Sequence, residues 1–482
     1  MVRALAIDVG SSSLRTALVD QSGEVSHVHQ RPLLVASPQP GEVELDPTEI
    51  VTTALELATL TLADGGGCDV VGITNQRATT VVFDPRTNAP VGPALSWQDL
   101  RTVIDCLVLQ GQGLALAPNQ SATKVKWLVD QSGRNARDLR FATLETWLAW
   151  HLSEGEAYVS DRSNACVSGL VDTNVARWDD RTLDLLGLEG VGLPVLVDTI
   201  GPVGTARALP GSPPLSALVG DQPASLFGQS CGISQAKITF GTGGILDMMH
   251  PASAPHSLGR NPSGCYPMVM RSHHGAITWG VEGIIFSAGS CVKWLVDLGI
   301  IPDVAASGDL AASVESSEGV DFVPAFAGLG TPWWDFGARG GFFGLTRGSS
   351  SAHLARAVLE GVAQRGADLI DAAEVDVGSA ISEVRVDGGM SANRFFVQRL
   401  ADFSGREVTV SSEREATTRG AGLMALVGEG HLTIDEVEAL WSPGFVAAPS
   451  LDEAVRESLR SHWRESVERA ARTIPELSAV SF

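Results

Sequence analysis

The chain has 482 residues, of which 44% are hydrophobic and 19% charged, and its formal net charge is −22. This length exceeds what one hydrophobic core organises, so we expect a globular protein with two large domains. Nucleic acid and anionic membrane surfaces would repel so acidic a chain, which argues against both as broad partners but not against a small phosphorylated ligand held by local positive charge.

The cysteines and the apolar stretches indicate the compartment. None of the six cysteines is paired at C-x-x-C spacing, which is typical of free thiols in a reducing cytoplasm and not of a disulfide framework or a zinc site. Asp8 interrupts the first apolar run before a signal peptide could form. The most apolar later stretch, residues 279–301, contains Glu282, Lys293 and Asp297 and should not span a membrane. We therefore expect a soluble cytoplasmic protein with no membrane insertion.

The first predicted element is a hairpin of two short strands, residues 4–7 and 14–19, joined by Asp-Val-Gly-Ser-Ser-Ser. The residues of interest are Asp8, Gly10, Ser11, Ser12 and Arg15. The glycine allows backbone N–H groups to approach an anion, and the serines can donate to phosphate oxygens. The aspartate can hold a magnesium ion, and the arginine adds positive charge. The pattern fits a phosphate loop and an ordinary serine-rich hairpin equally well.

A polar segment joins the next two predicted strands, residues 70–73 and 81–83. It consists of Asn75, Gln76 and Arg77 and is followed by Ala78, which has no polar side chain. A chain that turns between buried strands often holds a small ligand at such a point. The segment is therefore a candidate binding site in which an arginine stands beside an alanine.

The second half of the chain contains a similar hairpin. Residues 236–249 read as strand, Gly-Thr-Gly-Gly turn and strand, with Thr242 and Gly243 at the tip. A predicted strand at 217–219 precedes it, after which Asp221 and Gln222 open a helix. Two hairpins with glycine tips, one starting each half, indicate a duplicated fold with a nucleotide between the halves.

Residues 381–405 read as a strand, an Asp-Gly-Gly turn and a helix capped by Ser391 or Asn393. Gly388 and Gly389 at the helix start would allow close approach of a nucleotide. Neither the Walker P-loop nor G-x-G-x-x-G after the first strand is present, so the common nucleotide fingerprints do not apply.

Three further patterns favour structural roles. Apolar residues at four-residue spacing predict a core helix over 352–373. Trp333 and Trp334 fit domain packing better than a stacking platform, and His273 and His274 fit exposed loop residues better than metal ligands. The region 451–482 should be helical, with solvated arginines at 456, 460, 464 and 469.

Ten motifs in the expected order, covering nearly the whole chain, resemble the FGGY family of carbohydrate kinases. They are IDVGSSSLRTALVD, GITNQRATTVVFD, LSWQDLRT, SATKVKWLVDQ, DRSNACVSGL, GDQPASLFGQ, TFGTGG, VEGIIFSAGSCVKWL, FVPAFAGLGTPWWDFGARGGFFGLTRG and VRVDGGMSANRF. The resemblance implies an α/β fold of two RNase H-like domains, as in actin and the chaperone ATPases, around a central cleft. Residues 1–250 would bind substrate and carry the first phosphate loop, and residues 251–482 would bind nucleotide, with the boundary in a loop near 250–257. It also implies transfer of the ATP γ-phosphate to a polyol or sugar hydroxyl with Mg²⁺, in a homo-oligomer of two or four chains.

The same resemblance suggests roles for individual residues. Asp221 would be the general base, a role compatible with capping the helix that follows, and Asp8 would associate with magnesium. Gly10, Ser11, Ser12 and Arg15 match the first phosphate loop, Thr242 and Gly243 the second, and Gly388, Gly389 and Asn393 the adenosine site. Gly328 and Gly330 would line the nucleotide cleft, or else serve a turn that needs positive φ.

Within the family the chain most resembles glycerol kinases, but its pocket departs from theirs. Their Asn-Gln-Arg-Glu-Thr segment binds glycerol hydroxyls through the Arg-Glu pair, whereas here Arg77 is followed by Ala78. Asn119 and Ile245 replace two further aromatics, while Trp97, Asp221 and Gln222 are kept. A charge-assisted hydrogen bond contributes about 1.5–3 kcal/mol, so glycerol should bind poorly. We expect a four- or five-carbon polyol or open-chain sugar, bound by Arg77, Ala78, Trp97, Asn119, Asp221 and Gln222.

Three alternatives stay open at this point. Other residues could supply the lost contacts and make the chain a glycerol kinase. It could be a non-catalytic sugar or nucleotide sensor, although a sensor has no use for a general base. An actin- or chaperone-like ATPase would not explain why Arg77, Trp97 and Asp221 occur together.

Overall fold

The computed structural model describes residues 2–250, 254–413 and 415–481. Over these residues, no helix combines the length and the apolar character that a bilayer crossing requires. The chain alternates strands and helices, which confirms the predicted α/β class.

The strands and helices are as follows. The strands are β1 (Arg3–Val9), β2 (Ser13–Asp20), β3 (Val25–Pro32), β4 (Glu44–Leu45), β5 (Val70–Asn75), β6 (Thr80–Asp84), β7 (Ala89–Pro90), β8 (Ala94–Leu95), β9 (Arg140–Thr143), β10 (Val159–Asp161), β11 (Val195–Val197), β12 (Ile200–Thr205), β13 (Pro214–Gly220), β14 (Gln235–Phe240), β15 (Gly244–Met249), β16 (Tyr266–His273), β17 (Ala276–Ile285), β18 (Asp321–Val323), β19 (Gly341–Phe343), β20 (Glu383–Asp387), β21 (Val408–Ser411) and β22 (Pro443–Ala447). The helices are α1 (Pro47–Gly65), α2 (Val103–Gln110), α3 (Ala122–Ser132), α4 (Leu144–Leu152), α5 (Arg162–Cys166), α6 (Asp180–Leu186), α7 (Asp221–Gly228), α8 (Gly289–Asp297), α9 (Ser307–Ala312), α10 (Ser351–Val377), α11 (Arg394–Ser404), α12 (Ala416–Gly428), α13 (Ile434–Glu438), α14 (Glu453–Ala470) and α15 (Pro475–Ser478).

A 13-stranded sheet runs through the molecule in the order β22-β21-β20-β14-β15-β17-β16-β12-β13-β5-β1-β2-β3. The strands from β12 to β3 in this order form the first half-sheet, and those from β22 to β16 form the second. The two half-sheets join where Ile200 of β12 pairs with His273 of β16. Separate apolar cores pack against each half-sheet, as expected for two large domains.

The two half-sheets repeat one arrangement. In the first, β1 pairs antiparallel with β2 and parallel with β5, which pairs parallel with β13. In the second, β14 pairs antiparallel with β15 and parallel with β20, which pairs parallel with β21. The topology therefore shows the internal duplication that the two hairpins predict.

The duplication determines where polar loops meet. Because β1, β5 and β13 run parallel, their carboxyl ends lie at one edge, and the same holds for β14 and β20. Ligands of open α/β sheets bind at such edges. The predicted site residues Asp8, Arg77, Asp221, Thr242 and Gly388 all lie at or just after these strand ends.

Helix α12 carries residues from the second half of the chain onto the first half-sheet. It packs on β1, β5 and β13, with Ala421, Met424 and Ala425 in an apolar cluster. It also crosses α7 at very short range, because a Cβ atom on Gly420 would lie 1.8 Å from the carbonyl oxygen of Ala224. Glycine is required at this crossing, which sets the position of α7 and of Asp221 at its start.

The predicted boundary at 250–257 falls partly on residues 251–253, which lie outside the described residues, and the division at 250 and 251 stays a prediction. The pairing of β14 with β20 and of β15 with β17 groups residues 235–249 with the second half-sheet. Within the sheet, the change from one half to the other therefore occurs before β14.

Helix α10 confirms the predicted core helix, since Val358 and Val362 are fully buried. The tail is helical as predicted, but the solvation of its arginines is wrong for Arg460. That side chain is buried and forms ion pairs with Asp368, at 3.0 Å, and with Asp371. The acidic residues on α10 stabilise it there, and they lie too far away in sequence for local spacing to reveal them.

The paired tryptophans pack as predicted. Trp333 donates to Asp368 at 3.1 Å, and Trp334 donates to the carbonyl oxygen of Gly264 at 2.7 Å. The two histidines differ from each other: His274 is exposed, but His273 is half-buried, with Nδ1 3.0 Å from the carbonyl oxygen of Ile200.

Replacing Gly420 by alanine should destabilise the fold, because the new methyl group would overlap the backbone of α7. We expect the free energy of unfolding to fall by about 3 kcal/mol, with loss of activity as α7 shifts. Gly348→Ala is the control, because an added Cβ there meets only a side-chain atom at 3.6 Å. Urea denaturation measures both, and equal stability of the two variants would contradict the assigned crossing.

Candidate active site

The β1–β2 hairpin holds Asp8 beside two cationic or polar partners. The Asp8 carboxylate accepts a hydrogen bond from the Thr418 hydroxyl at 2.9 Å, and Arg15 lies 4.0 Å away and pairs with Glu415. Burial raises the pKa of Asp8 to about 6, since it disfavours the charged carboxylate more than Thr418 and Arg15 favour it. Gly10, Ser11 and Ser12 form the tip, where Ser12 is exposed. Of the predicted loop residues, Arg15 thus lies beside the Asp8 carboxylate, and Gly10, Ser11 and Ser12 form the tip of the same hairpin.

The polar segment after β5 is supported from several directions. Asn75 and Asn164 donate to each other's side-chain oxygens at 3.0 and 3.1 Å. Gln76 donates to the carbonyl oxygen of Gly10 at 3.2 Å, which ties the segment to the first hairpin. The hydroxyl of Ser163 accepts from the backbone N–H of Gly220 at 2.9 Å. The ends of β1, β5 and β13 are therefore held in one arrangement.

Arg77 lies buried between two carboxylates. Its Nε donates to Asp221 Oδ1 at 3.2 Å, and its Nη2 pairs with Glu282 of β17. Burial disfavours the guanidinium charge, but the attraction of Glu282, Asp221 and Asp247 is larger and raises the pKa of Arg77. The arginine therefore stays charged and links the two half-sheets.

Gly220 provides the space for this side chain. A Cβ atom on Gly220 would lie 2.4 Å from Arg77 Cδ. Asp221 then starts α7 and accepts the N–H of Gln222 on Oδ1 at 2.9 Å. The side chain of Asp221 keeps 29% exposure, and no described residue donates to its Oδ2. This oxygen is available to a ligand in the cleft.

Gln222 has a fixed amide orientation. Its Oε1 accepts from the buried ammonium group of Lys237 at 2.8 Å. Lysine can only donate, so the amide nitrogen must face away from Lys237. Asp221 and Gln222 therefore offer a hydrogen-bond acceptor and a donor side by side.

Ala78 has a left-handed backbone, with φ of +60°, and is buried. Its carbonyl oxygen accepts from the Ser121 hydroxyl at 3.2 Å, just before α3. Non-glycine residues held at positive φ are uncommon and concentrate at functional sites. The sequence shows the missing carboxylate at this position, but it does not show the strained backbone.

Trp97 and Asn119 lie near the same segment. Trp97 is 38% exposed and donates from Nε1 to Ser11 Oγ at 3.1 Å. This hydrogen bond connects a predicted substrate-binding residue to the predicted first phosphate loop. Asn119 is exposed, and its carbonyl oxygen lies 3.4 Å from Nζ of Lys124. Lys124 also donates to the carbonyl oxygen of Ser96 at 2.7 Å, and burial lowers its pKa to about 7. It holds the two segments together.

The β14–β15 hairpin carries Thr242 and Gly243 at an exposed tip. The Thr242 carbonyl oxygen accepts from the N–H of Ala288 at 2.8 Å and from the hydroxyl of Ser290 at 3.0 Å. A Cβ atom on Gly243 would lie 2.5 Å from the Ile285 carbonyl oxygen. The tip packs against the start of α8 through Thr242, and the lack of a side chain at Gly243 permits its close approach to the end of β17.

The β20 turn lies beside this hairpin. Gly388 has φ of +84°, and a Cβ atom there would lie 2.4 Å from the carbonyl oxygen of Phe240. Gly389 is exposed with open space at its Cα. Asn393, not Ser391, caps α11 by accepting the N–H of Phe396 at 3.1 Å. Gly388 and Gly389 thus adjoin the second hairpin, as a shared nucleotide site requires.

Gly328 and Gly330 serve backbone geometry. Gly328 has φ of +86° in a turn, and a Cβ atom on Gly330 would lie 2.2 Å from the Ile284 carbonyl oxygen. The structure therefore shows the turn requirement at Gly328, while a contact of either residue with nucleotide stays a prediction.

Sequence patterns did not identify several residues of the site. Glu282 and Lys237 contact Arg77 and Gln222, and Ser163 and Asn164 support the strand ends. A signal existed for Glu282 and for Lys237, because each is a charged residue inside an otherwise largely apolar strand. Among the described residues, no group of three or more His, Cys, Asp or Glu side chains is placed to hold a metal ion.

Two family models match the chain. The N-terminal domain of the FGGY family of carbohydrate kinases matches residues 3–228, and the C-terminal domain of that family matches residues 236–429. Curated relatives include glycerol kinases of Aromatoleum aromaticum and Dechloromonas aromatica. Each is 38% identical over 97% of this chain, and the match covers 98% and 97% of the respective protein.

Solved structures agree with this assignment. Plasmodium falciparum glycerol kinase with ADP superposes with a TM-score of 0.91 at 26% identity, covering 100% of this chain and 99% of that chain. Xylulose kinase from Lactobacillus acidophilus, at 17% identity, shares the fold with a TM-score of 0.87, covering 99% of this chain and 100% of that chain. These neighbours confirm the two-domain fold around a cleft. The chain belongs to the FGGY family of carbohydrate kinases, ATP-dependent phosphotransferases with an alcohol acceptor.

Proposed function

We propose that this kinase phosphorylates a four- or five-carbon polyol or open-chain sugar in preference to glycerol. The observation that carries the proposal is the pair Arg77–Ala78: the arginine is fixed beside Asp221, and the next residue offers no side-chain acceptor. Trp97 and Asn119 are exposed near this segment and leave polar and apolar surface for a longer acceptor.

Asp221 acts as the general base in this proposal. Arg77 and the N–H of Gln222 both bind Oδ1, so Oδ2 is the atom that takes the proton of the attacking hydroxyl. The hydroxyl oxygen forms a bond to the γ-phosphorus of ATP as the bond from that phosphorus to the β–γ bridging oxygen breaks, so the products are the phosphorylated acceptor and ADP. Gln222 donates its amide N–H to another substrate oxygen, which orients the acceptor.

The nucleotide would bind between the two hairpins. The Gly10 N–H already donates to the Ser13 carbonyl oxygen at 3.0 Å, so the N–H groups of Ser11 and Ser12 in the first hairpin, and of Gly241 and Thr242 in the second, would face phosphate oxygens. Gly388 and Gly389 would leave room for the adenosine. A lone buried carboxylate fits magnesium that keeps most of its ligands from water and phosphates, so Asp8 would hold it. Magnesium would neutralise phosphate charge during transfer.

The second candidate is glycerol phosphorylation, favoured by the glycerol kinases at 38% identity over 97% of this chain. A coupled assay of ADP release with Mg-ATP across glycerol, tetritols, pentitols, ketopentoses and ketohexoses decides between them. The proposal requires a four- or five-carbon acceptor to have the highest kcat/KM. A higher kcat/KM for glycerol than for any longer acceptor would reject it.

Assembly of two or four identical chains stays a prediction.

Asp221→Asn should lower kcat by about 10²–10⁴-fold, because the amide cannot accept the hydroxyl proton. The KM for ATP should change little, since Asp221 faces the acceptor. Steady-state kinetics with the best acceptor measures both. Asp64→Asn, at an exposed position on α1, is the control. If Asp221→Asn keeps the kcat of the wild type, Asp221 is not the general base.

Ala78→Glu should raise kcat/KM for glycerol by about ten- to a hundred-fold, because it restores a charged acceptor for two hydroxyls. The longer acceptor should lose efficiency in the same variant. Ala78→Gln has nearly the same shape without the charge and should shift preference less. If the two variants behave alike toward glycerol, charge at position 78 does not set specificity.

Asp8→Asn should stabilise the protein in the absence of nucleotide and magnesium. The pKa of Asp8 rises from 3.8 to about 6 on folding, so its favourable contribution is complete below about pH 4 and lost as pH rises through 6. Above that pH the ionised carboxylate opposes folding by about 1–3 kcal/mol, which the amide removes. Thermal unfolding at pH 8 and pH 4 measures the difference.

We expect Asp8→Asn to unfold at higher temperature than the wild type at pH 8, to match it more closely at pH 4, and to lose kinase activity. An equal gain at both pH values would mean that ionisation of Asp8 is not the cause. Retained activity would mean that Asp8 is not required for magnesium.

A further inference from the structure

Four buried charged side chains lie behind Asp221 and Gln222, and the proposed mechanism gives none but Arg77 a role. They are Arg77, Glu282, Lys237 and Asp247, called the buried quartet below. Lys237 and Asp247 are fully buried as an ion pair at 3.1 Å, and Glu282 keeps only 8% side-chain exposure. Moving charges into a protein interior costs free energy that even good pairing often does not fully offset, so four such side chains behind two site residues suggest a specific use.

The quartet forms two arms of the same design. In one arm Glu282 pairs with Arg77, and Arg77 binds Asp221 Oδ1. In the other, Asp247 pairs with Lys237, and Lys237 binds Gln222 Oε1. Each arm is a carboxylate, then a cation, then one of the two adjacent residues that start α7.

The two carboxylates are neighbours on adjacent strands. Asp247 of β15 and Glu282 of β17 are directly opposite each other in the antiparallel register. Like charges at such a position repel, so each requires its own cation. Lys237 on β14, with Asp247 and Glu282, belongs to the second half-sheet, whereas Asp221 and Gln222 follow β13 of the first. The arms therefore connect the acceptor-binding residues to the half that carries the nucleotide hairpin.

The Lys237 arm determines which way the Gln222 amide points. Without a donor at Oε1, the amide could turn over and present its oxygen to the substrate instead of its nitrogen. Among the described residues, Lys237 is the only side chain that donates to this oxygen. Attraction to Asp247 and Asp387 outweighs burial and raises the pKa of Lys237, so the donor stays charged.

We propose that Lys237 and Asp247, together with Glu282, are positioning residues that hold Gln222 as a donor and Asp221 as an acceptor toward the substrate hydroxyls. This rests on the proposed roles of Asp221 and Gln222 and extends them to residues of the opposite half-sheet. None of the three touches the substrate; each acts through its partner. Loss of an arm should therefore weaken acceptor use and leave ATP binding unchanged.

The test is a double-mutant cycle on the Gln222 arm. Lys237→Met/Asp247→Leu replaces the ion pair by apolar side chains of similar volume, a change that often preserves stability. The acceptor is whichever of glycerol, erythritol and xylitol the wild type uses fastest, and Gln222→Ala is made in both backgrounds. We expect Gln222→Ala to raise the acceptor KM about tenfold in the wild type but less than about twofold in the double variant.

The control is Lys293→Met/Asp297→Leu, which removes an exposed ion pair with a distance of 2.8 Å. In that background Gln222→Ala should keep its full effect. If the increases in acceptor KM caused by Gln222→Ala and by Lys237→Met/Asp247→Leu are additive, Lys237 does not orient Gln222 and the proposal is wrong. A raised KM for ATP in Lys237→Met/Asp247→Leu would also contradict the proposal, because it would indicate general damage to the cleft.

Glu282→Gln tests the other arm with an isosteric change and does not depend on the double variant folding. The acceptor KM should rise about tenfold with an unchanged KM for ATP, because the amide holds Arg77 less firmly. An unchanged acceptor KM rejects the positioning role of Glu282. A wild type inactive on all three acceptors would instead count against the proposed function, so the two failures are distinguishable.

Discussion

The ion pairs of Arg77 connect the two halves of this kinase beside the proposed acceptor site. A guanidinium buried between Asp221 and Glu282 cannot move to one carboxylate without leaving the other uncompensated, and a buried unpaired charge is strongly destabilising. Gly220 has no side chain because Arg77 occupies that space. The start of α7 is thus held by Arg77, which follows β5, and Arg77 is held in turn by Glu282 of β17.

The duplicated sheet explains why this linkage is possible. Each half-sheet ends its parallel strands in a loop of small or polar residues, and pairing of β12 with β16 joins the halves in one sheet. Helix α12 then crosses from the second half onto the first, where Thr418 reaches Asp8. Closure of such a cleft excludes water and limits wasteful hydrolysis of ATP. The contacts at Asp8, Arg77 and Gln222 are where closure and chemistry would be coupled.

Local patterns predict much of this structure, and distant pairings limit the rest. The strands around Arg77, both hairpins, the helix opened by Asp221 and the core helix α10 follow from apolar runs, turn residues and spacing. Glu282 lies 205 residues from Arg77 in the sequence, so no local pattern pairs the two residues. In the sequence analysis, Glu282 was used only as one of the charges that argue against a membrane-spanning helix. Arg460 was wrongly expected in solvent because its partners lie on α10. The left-handed backbone of Ala78 depends on its surroundings, so no local residue pattern indicates it.

We propose that the acceptor site does not prefer glycerol because the residue after Arg77 is Ala78, which offers no side-chain carboxylate to the glycerol hydroxyls. The most direct measurement is a competition in one tube: Mg-ATP with equal concentrations of glycerol, erythritol and xylitol, with phosphorylated products separated by mass. Product ratios report the ratios of kcat/KM under identical conditions. The account predicts that four- or five-carbon polyol phosphate exceeds glycerol phosphate by about tenfold or more. A product dominated by glycerol phosphate would contradict it.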